Sequence, residues 1–472
     1  MDASSTVKAR SAPGLWSSIR EALAGSHQDF TEGNLGRAIL LLAIPMVLEM
    51  VMESLFGIVD IFFVAHLGAD AVTIAGLTEG MLTILFAIAM GLAMASTAMV
   101  ARRVGEKDLD GAADAAVQSI GLGVLVSFIV GIIGVVFASD LLRLMGASPP
   151  VVQGGTRYTG IMLGGCFVIV MLFLNNAIFR GAGDAAVAMR VLWVANAINI
   201  ILDPCLILGL GPFPKLGVTG AAVSTTIGRG VGVAYQFWYL FGGRLRVRIL
   251  ARHVKVHWDV LRRLVRIAAN GAFQNLVAMA SWLALIRLNS SFGSNAVAGY
   301  TIAIRIIIFA LLPAWGLTNA AATLVGQNLG AQKPDRAESA VWRTGFFNMC
   351  FLGAVGLTFI VFARQVIGVF TTDPAVQVYA VNCLRIVSYG YISFSWGMVV
   401  IQAFNGAGDT WTPTLLNLFC CWVWQIPLAY TLAVPLGSGP KGIYTAIAIA
   451  DTSLAVVGIW AFRRGRWKLQ KV

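Results

Sequence analysis

Residues 44–60 read IPMVLEMVMESLFGIVD. The run is apolar enough to lie in a membrane, yet it carries Glu49, Glu53 and Asp60 at i, i+4 and i+11. At 100° per residue, all three carboxylates fall within roughly 40° of one helical face. A charge in hydrocarbon is costly, so acids placed there face a bundle interior or a wet cavity and mark an ion or substrate path. The plainer alternative for Glu49 and Glu53 is a place near the membrane interface, or a bond to a neighbouring helix.

Composition sets the scale of the fold. The chain has 472 residues, is 58% hydrophobic with only 12% charged residues, and has a mean hydropathy of +0.80. That composition belongs to a membrane protein with many spans. At roughly 35 residues per span and loop, with ~20 needed to cross, about twelve helices fit. The 51 glycines suit close helix packing. A net charge of +12 would suit nucleic acid, but the basic residues are scattered over short loops and both tails. That scatter follows the positive-inside rule, so no nucleic-acid partner is expected. None of the six cysteines forms a CxxC or joins a His pair, which implies neither disulfides nor a metal site.

Walking outward from the opening stretch, residues 1–35 form a polar tail without a cleavable leader. Within it, Leu15, Ile19 and Leu23 are spaced for a short surface helix. Apolar segments follow at about 38–64, 72–99, 115–139, 158–179, 188–210 and 217–241. A second set lies at about 264–289, 296–324, 342–363, 380–404, 412–435 and 442–462. The expected organisation is a first lobe at 36–241, a basic linker at 242–263, a second lobe at 264–463 and a basic tail at 464–472. The side richer in Lys and Arg holds both tails and the linker, which makes both termini cytoplasmic.

The chain is also a repeat. A shift of 225 residues lays Phe179-Arg-Gly-Ala-Gly-Asp184 on Phe404-Asn-Gly-Ala-Gly-Asp409, Gly105 on Gly330 and Gly217 on Gly442. Six helices per copy give parallel lobes about an axis along the membrane normal, an arrangement that places substrate at the lobe interface. Under the same shift Glu49 falls on Gln274, Glu53 on Ala278, Asp60 on Leu285 and Asp203 on Leu428. Two copies of one scaffold have similar packing needs. Acids present in only one copy are better explained by a task performed there.

In the fifth segment Asn196, Asn199 and Asp203 stand at i, i+3 and i+7, a polar stripe on an apolar helix. The sixth places Ser224, Thr225 and Thr226 about two turns from its outer end. Asp60, Asp203 and Thr225 then share one depth. Carboxylate, amide and hydroxyl oxygens converging there suit a proton or a small hard cation. Two adjacent carboxylates repel, so one should be able to hold a proton near neutral pH. The alternative for the stripe is a structural seam between helices. Glu79, Asp451, Glu49 and Gln274 are candidates for the substrate cavity, and Arg229 could pair with a buried acid.

Taken almost end to end, the chain resembles the multidrug and toxic compound extrusion (MATE) transporters. The resemblance is carried by the doubled six-helix layout, by Pro45 followed by IVDIFFVAHLG at residues 58–68, by the FRGAGD/FNGAGD pair, by NxxxD at Asn199 and Asp203, and by GAAxxT ending at Thr225. It implies an all-α protein of twelve transmembrane helices in two pseudo-symmetric lobes. It also implies a non-enzymatic antiporter that exports organic, mostly cationic compounds in exchange for H⁺ or Na⁺ by alternating access. The coupling-ion positions it marks are Asp60, Asn199, Asp203 and Thr225, with Na⁺ at the same four residues if Na⁺ is the ion. Glu53 and Asn196 complete the protonation set on the residue reading. No cofactor is expected. The expected setting is a monomer in the lipid bilayer of the plasma (inner) membrane. A seventh-helix glutamate of some relatives has no counterpart near Ala278, and Glu53 stands where relatives often have a neutral polar residue. The runner-up reading is a flippase for a lipid-linked saccharide. An enzyme is disfavoured because no HExxH, GxSxG or intramembrane His pair occurs.

Overall fold

The computed structural model describes residues 15–25, 28–243 and 245–470. His27 therefore lies outside the described residues, and so does most of the leading tail. A surface helix, α1 (Leu15–Ala24), precedes the first lobe. That lobe comprises α2 (Leu35–Ala65), α3 (Ala69–Gly105), α4 (Leu109–Val136), α5 (Ala138–Leu144), α6 (Pro149–Gly164), α7 (Cys166–Ala182), α8 (Ala185–Leu208) and α9 (Val218–Gly242). The second lobe comprises α10 (Trp258–Asn289), α11 (Ser294–Gly330), α12 (Pro334–Phe370), α13 (Pro374–Tyr389), α14 (Tyr391–Gly406), α15 (Trp411–Asn417), α16 (Ile426–Ala433) and α17 (Pro440–Arg463). A π-helical stretch at Leu418–Gln425 joins α15 to α16. Ten segments are long and apolar enough to cross a membrane, α13 and α14 form an eleventh bent by 61°, and the 25-residue α9 stands where the sixth of the twelve expected spans falls, though it is less apolar than the others.

The fourth and tenth spans differ from the simple helices expected. Each breaks at a glycine, Gly165 and Gly390, and these two positions are 225 residues apart. The GAGD segments are tight turns, as their composition requires. Gly183 and Gly408 take φ of +91° and +85°, a region that side chains rarely tolerate. Asp409 then accepts from Thr412 N (3.2 Å) and Thr412 Oγ1 (2.7 Å) to start the next helix. The linker is pinned to α4, where Arg252 Nη2 lies 2.6 Å and His253 Nε2 3.1 Å from Asp110 Oδ1.

The lobes meet along α2–α11 and α3–α10, two pairings related by the repeat. A Cβ on Gly105 would lie 2.0 Å from the Gln327 carbonyl oxygen, and a Cβ on Gly330 would lie 2.1 Å from that of Arg102. Gln327 is itself the repeat counterpart of Arg102. Gly91 against Ala272 and Gly316 against Met46 form a second related pair, at 2.4 and 2.6 Å. The repeat thus builds its interface from backbone-to-backbone contacts that only glycine permits. On the face carrying both termini, chain ends cross between lobes. Lys333 Nζ donates to Thr31 O (3.1 Å), Arg336 Nη1 to Gly33 O (3.0 Å) and Arg102 Nη2 to Gln470 O (2.8 Å). Gly105→Ala and Gly330→Ala should each push the lobes apart there and lower stability by about 1–3 kcal/mol, the usual cost of overpacking. Denaturant unfolding of both variants, compared with an exposed Gly76→Ala control, checks this.

Candidate functional site

The first lobe holds its polar groups in three tiers along α2. The innermost is Glu49, 1% exposed. Its Oε1 accepts from Arg180 Nη1 (2.7 Å) and Asn176 Nδ2 (3.0 Å), while its Oε2 has no partner. Arg180 lies inside α7, which runs on to Ala182, so it serves as a buried counter-ion rather than a loop charge. The second tier is Glu53. Its Oε1 faces Arg229 Nη2 at 3.5 Å, and its Oε2 faces Asn196 Nδ2 at 3.4 Å. Asn196 also reaches the Met52 carbonyl at 3.4 Å. The Arg229 guanidinium lies 5.2 Å from the centre of the Phe56 ring, so an aromatic face also holds it.

The outermost tier joins three helices. Asp203 of α8 is fully buried and accepts a short hydrogen bond from Ser224 Oγ of α9. With the Asn199 amide turned to suit its neighbours, its nitrogen donates to Asp203 Oδ2 (3.0 Å) and its oxygen accepts from Thr225 Oγ1 (3.1 Å). The i, i+4 spacing on α8 puts Asn199 directly beneath Asp203, and Gly228 lets α9 approach α8 at that level. Asp60 of α2 lies within electrostatic reach of Asp203, Glu79 and Arg229. Among the described residues it forms no ion pair or hydrogen bond. Tyr158 of α6, 4% exposed, lies within the same reach of Asp60, Glu79 and Asp203.

The structure therefore joins Asn199, Asp203 and Thr225 by hydrogen bonds, brings Asp60 within electrostatic reach of Asp203, and sets Glu53 and Asn196 one tier below. It does not bring in Glu49, which Arg180 engages. Glu79 is exposed near the start of α3. Gln274 is 4% exposed in α10, with Oε1 unpartnered, and Asp451 lies in the second lobe. Ser224 and Tyr158 are additions. Ser224 was visible in the STT run, but nothing distinguished it there from its two neighbours. Tyr158 carried no signal, because it sits in an otherwise ordinary apolar helix. Oxygen donors from a carboxylate, an amide and two hydroxyls form a set that can accept a proton or coordinate a hard monovalent ion.

Two pseudo-symmetric six-helix lobes, one of which buries a cluster of acids, amides and hydroxyls, are the architecture of a membrane transporter. The MatE family model matches residues 45–205 and 267–431, one match in each lobe, and the chain belongs to that family of transporters. A probable multidrug resistance protein of Bacillus subtilis (strain 168) is 25% identical over 443 residues, covering 92% of this chain and 95% of the relative. An FAD transporter of Shewanella oneidensis is also 25% identical, over 446 residues, covering 91% of this chain and 95% of its own. A crystal structure of a MATE protein in complex with MaL6 superposes with a TM-score of 0.88 at 28% identity, covering 94% of this chain and 99% of the other.

Proposed function

We propose that the protein is a secondary antiporter that exports organic, mostly cationic compounds in exchange for H⁺ or Na⁺. It would act as a single chain in the plasma (inner) membrane with both termini cytoplasmic. The observation that carries this reading is the charge balance of the first lobe. Glu49 has Arg180 and Glu53 has Arg229, whereas Asp60 and Asp203 have no basic partner of their own. Two carboxylates without a basic partner lie within electrostatic reach of each other, so this tier would present a net negative site when both are ionised. Relatives at equal identity bear names for different cargoes, so likeness alone does not choose the substrate, whereas the sign of this tier favours a cation.

The coupling is competition. An inorganic ion and an organic cation cannot both be held by the same two charges. An ion arriving at Asp60 and Asp203 weakens the grip on substrate, and the emptied site rebinds substrate after the lobes have rocked. Only a ligand with different affinities for the two states can drive such a cycle. A flippase for a lipid-linked saccharide would need basic groups free to meet pyrophosphate, and Arg180 and Arg229 are already engaged by glutamates.

Substrate efflux from proteoliposomes, with a pH gradient and a Na⁺ gradient imposed separately, tests the reading. One gradient should drive accumulation of a lipophilic cation such as ethidium against its own gradient. Accumulation independent of both gradients would overturn antiport. Uptake of anionic analogues alone would overturn the cation assignment.

A further inference from the structure

The second lobe contains an acid that the scheme above does not use. Asp451 lies halfway along the 24-residue α17 and is half-buried. Among the described residues it forms no hydrogen bond and no ion pair. Two of the helix interruptions in this lobe belong to elements packed on α17. Tyr391, the first residue of α14 beyond the 61° break, lies within its electrostatic reach, as do Cys420 and Cys421 of the π-helical stretch and Tyr300 of α11. Tyr391 is 2% exposed, and its hydroxyl has no hydrogen-bond partner. π-Helical turns are uncommon and gather at functional positions, and broken spans line the ion sites of transporters.

The repeat supplies a control. The first-lobe counterpart of Asp451 is Thr226, and that of Gly390 is Gly165. Thr226 returns its hydroxyl to Ala222 O (2.7 Å) and packs on Gly165, where a Cβ would lie 3.1 Å from its methyl. A small, self-satisfied side chain therefore meets the packing need beside a broken span. The second lobe places a carboxylate there instead, so packing does not account for it.

The neighbouring elements leave the acid without a counter-charge. α14, α15, α16 and the π-helical stretch contain no Asp, Glu, Lys or Arg. Arg385 of α13 is turned away, donating to Ile360 O at 3.0 Å. Other titratable groups near this core are Cys383 and Tyr379 of α13 and Tyr444 of α17 itself. One carboxylate with hydroxyl and thiol neighbours lacks the oxygen donors a metal ion needs. Among the described residues no group of three His, Cys, Asp or Glu could hold one.

We propose that Asp451 is a second coupling site, one that binds and releases a proton during the transport cycle separately from Asp60 and Asp203. The proton comes from water on one side of the membrane, forms the carboxylic acid, and leaves to water on the other side. The proposal builds on the antiport reading, but proton binding can be measured without transport. Infrared difference spectra between acid and alkaline pH, recorded on the purified full chain in lipid, should show a protonated-carboxyl band. The component of that band due to Asp451 should vanish in Asp451→Asn, shift in Asp451→Glu and persist in the Asp60→Asn/Asp203→Asn double variant, which loses only the component due to the first-lobe acids. An unchanged band in both Asp451 variants would overturn the proposal. A persistent Asp451 band with gradient-independent transport would instead count against antiport while leaving the protonation site standing. In transport, the proton-to-substrate ratio of Asp451→Asn should fall by one, and an unaltered ratio would overturn its part in coupling.

Discussion

Asp203→Asn should abolish ion-driven export while leaving the protein folded. The substitution keeps the shape of the side chain and can still receive the Ser224 hydroxyl at its amide oxygen. What it removes is the charge for which, in the proposed cycle, the ion and the substrate compete. Asp203 is fully buried, so no water can substitute for that charge. Transport driven by the effective gradient should fall to the level of protein-free liposomes. Downhill leak of substrate and the thermal unfolding midpoint should change little. Asp60→Asn should do the same, because the two carboxylates lie within electrostatic reach of each other. Wild-type rates in both variants would remove the site. Loss of transport together with loss of folded protein would identify Asp203 as a structural seam instead.

Arg180→Met should produce the largest loss of stability of any single change in the first lobe. The Arg180–Glu49 pair is buried on both sides, with the side chains 11% and 2% exposed. Removing one partner of such a pair costs about 3–5 kcal/mol, because the other charge is left in a medium that cannot solvate it. Glu49 Oε2 already lacks a partner, so its carboxylate has little reserve. Glu49→Gln should cost less than Arg180→Met, because a guanidinium can still bond neutral acceptors. The double variant Glu49→Gln/Arg180→Met should recover part of the loss. Chemical denaturation in detergent measures all three, and additive single effects would show that the pair is not coupled. The carbonyls of Arg180 and Gly181 also accept from Thr323 Oγ1 (3.1 Å) and Gln327 Nε2 (2.9 Å) of the other lobe. Loosening α7 should therefore loosen the lobe contact on the face of the termini.

The doubled fold was legible because its signal is long-range and redundant. Twelve apolar runs and one 225-residue offset survive errors of several residues at any helix end. The α8 stripe and the α9 hydroxyls were legible because polar groups on an apolar helix have few reasons to be there. The breaks at Gly165 and Gly390 were not, since a glycine inside an apolar run reads equally well as close packing. The role of Arg180 was hidden by its position. Three residues before a GD turn, it looked like a loop cation that happened to fall in a helix. The offset that singled out the acids would have singled it out too, because Arg180 falls on Asn405 and Arg229 on Leu454. These carboxylates and arginines stand in the same lobe, and two of each are paired there. Read in the opposite direction, the offset picks out Asp451 against Thr226. An acid confined to the second copy is as informative as one confined to the first.

The crossing of the chain ends bears on how the molecule can move. The segment before the first span is tied to the second lobe through Lys333 and Arg336, and the segment after the last span is tied to the first lobe through Arg102. Each end of the polypeptide is thus fastened to the opposite half of the molecule. If cargo enters from that side, as the proposed cycle requires, both fastenings must release together, so trimming either end should ease the mouth open and turn driven export into something closer to a leak.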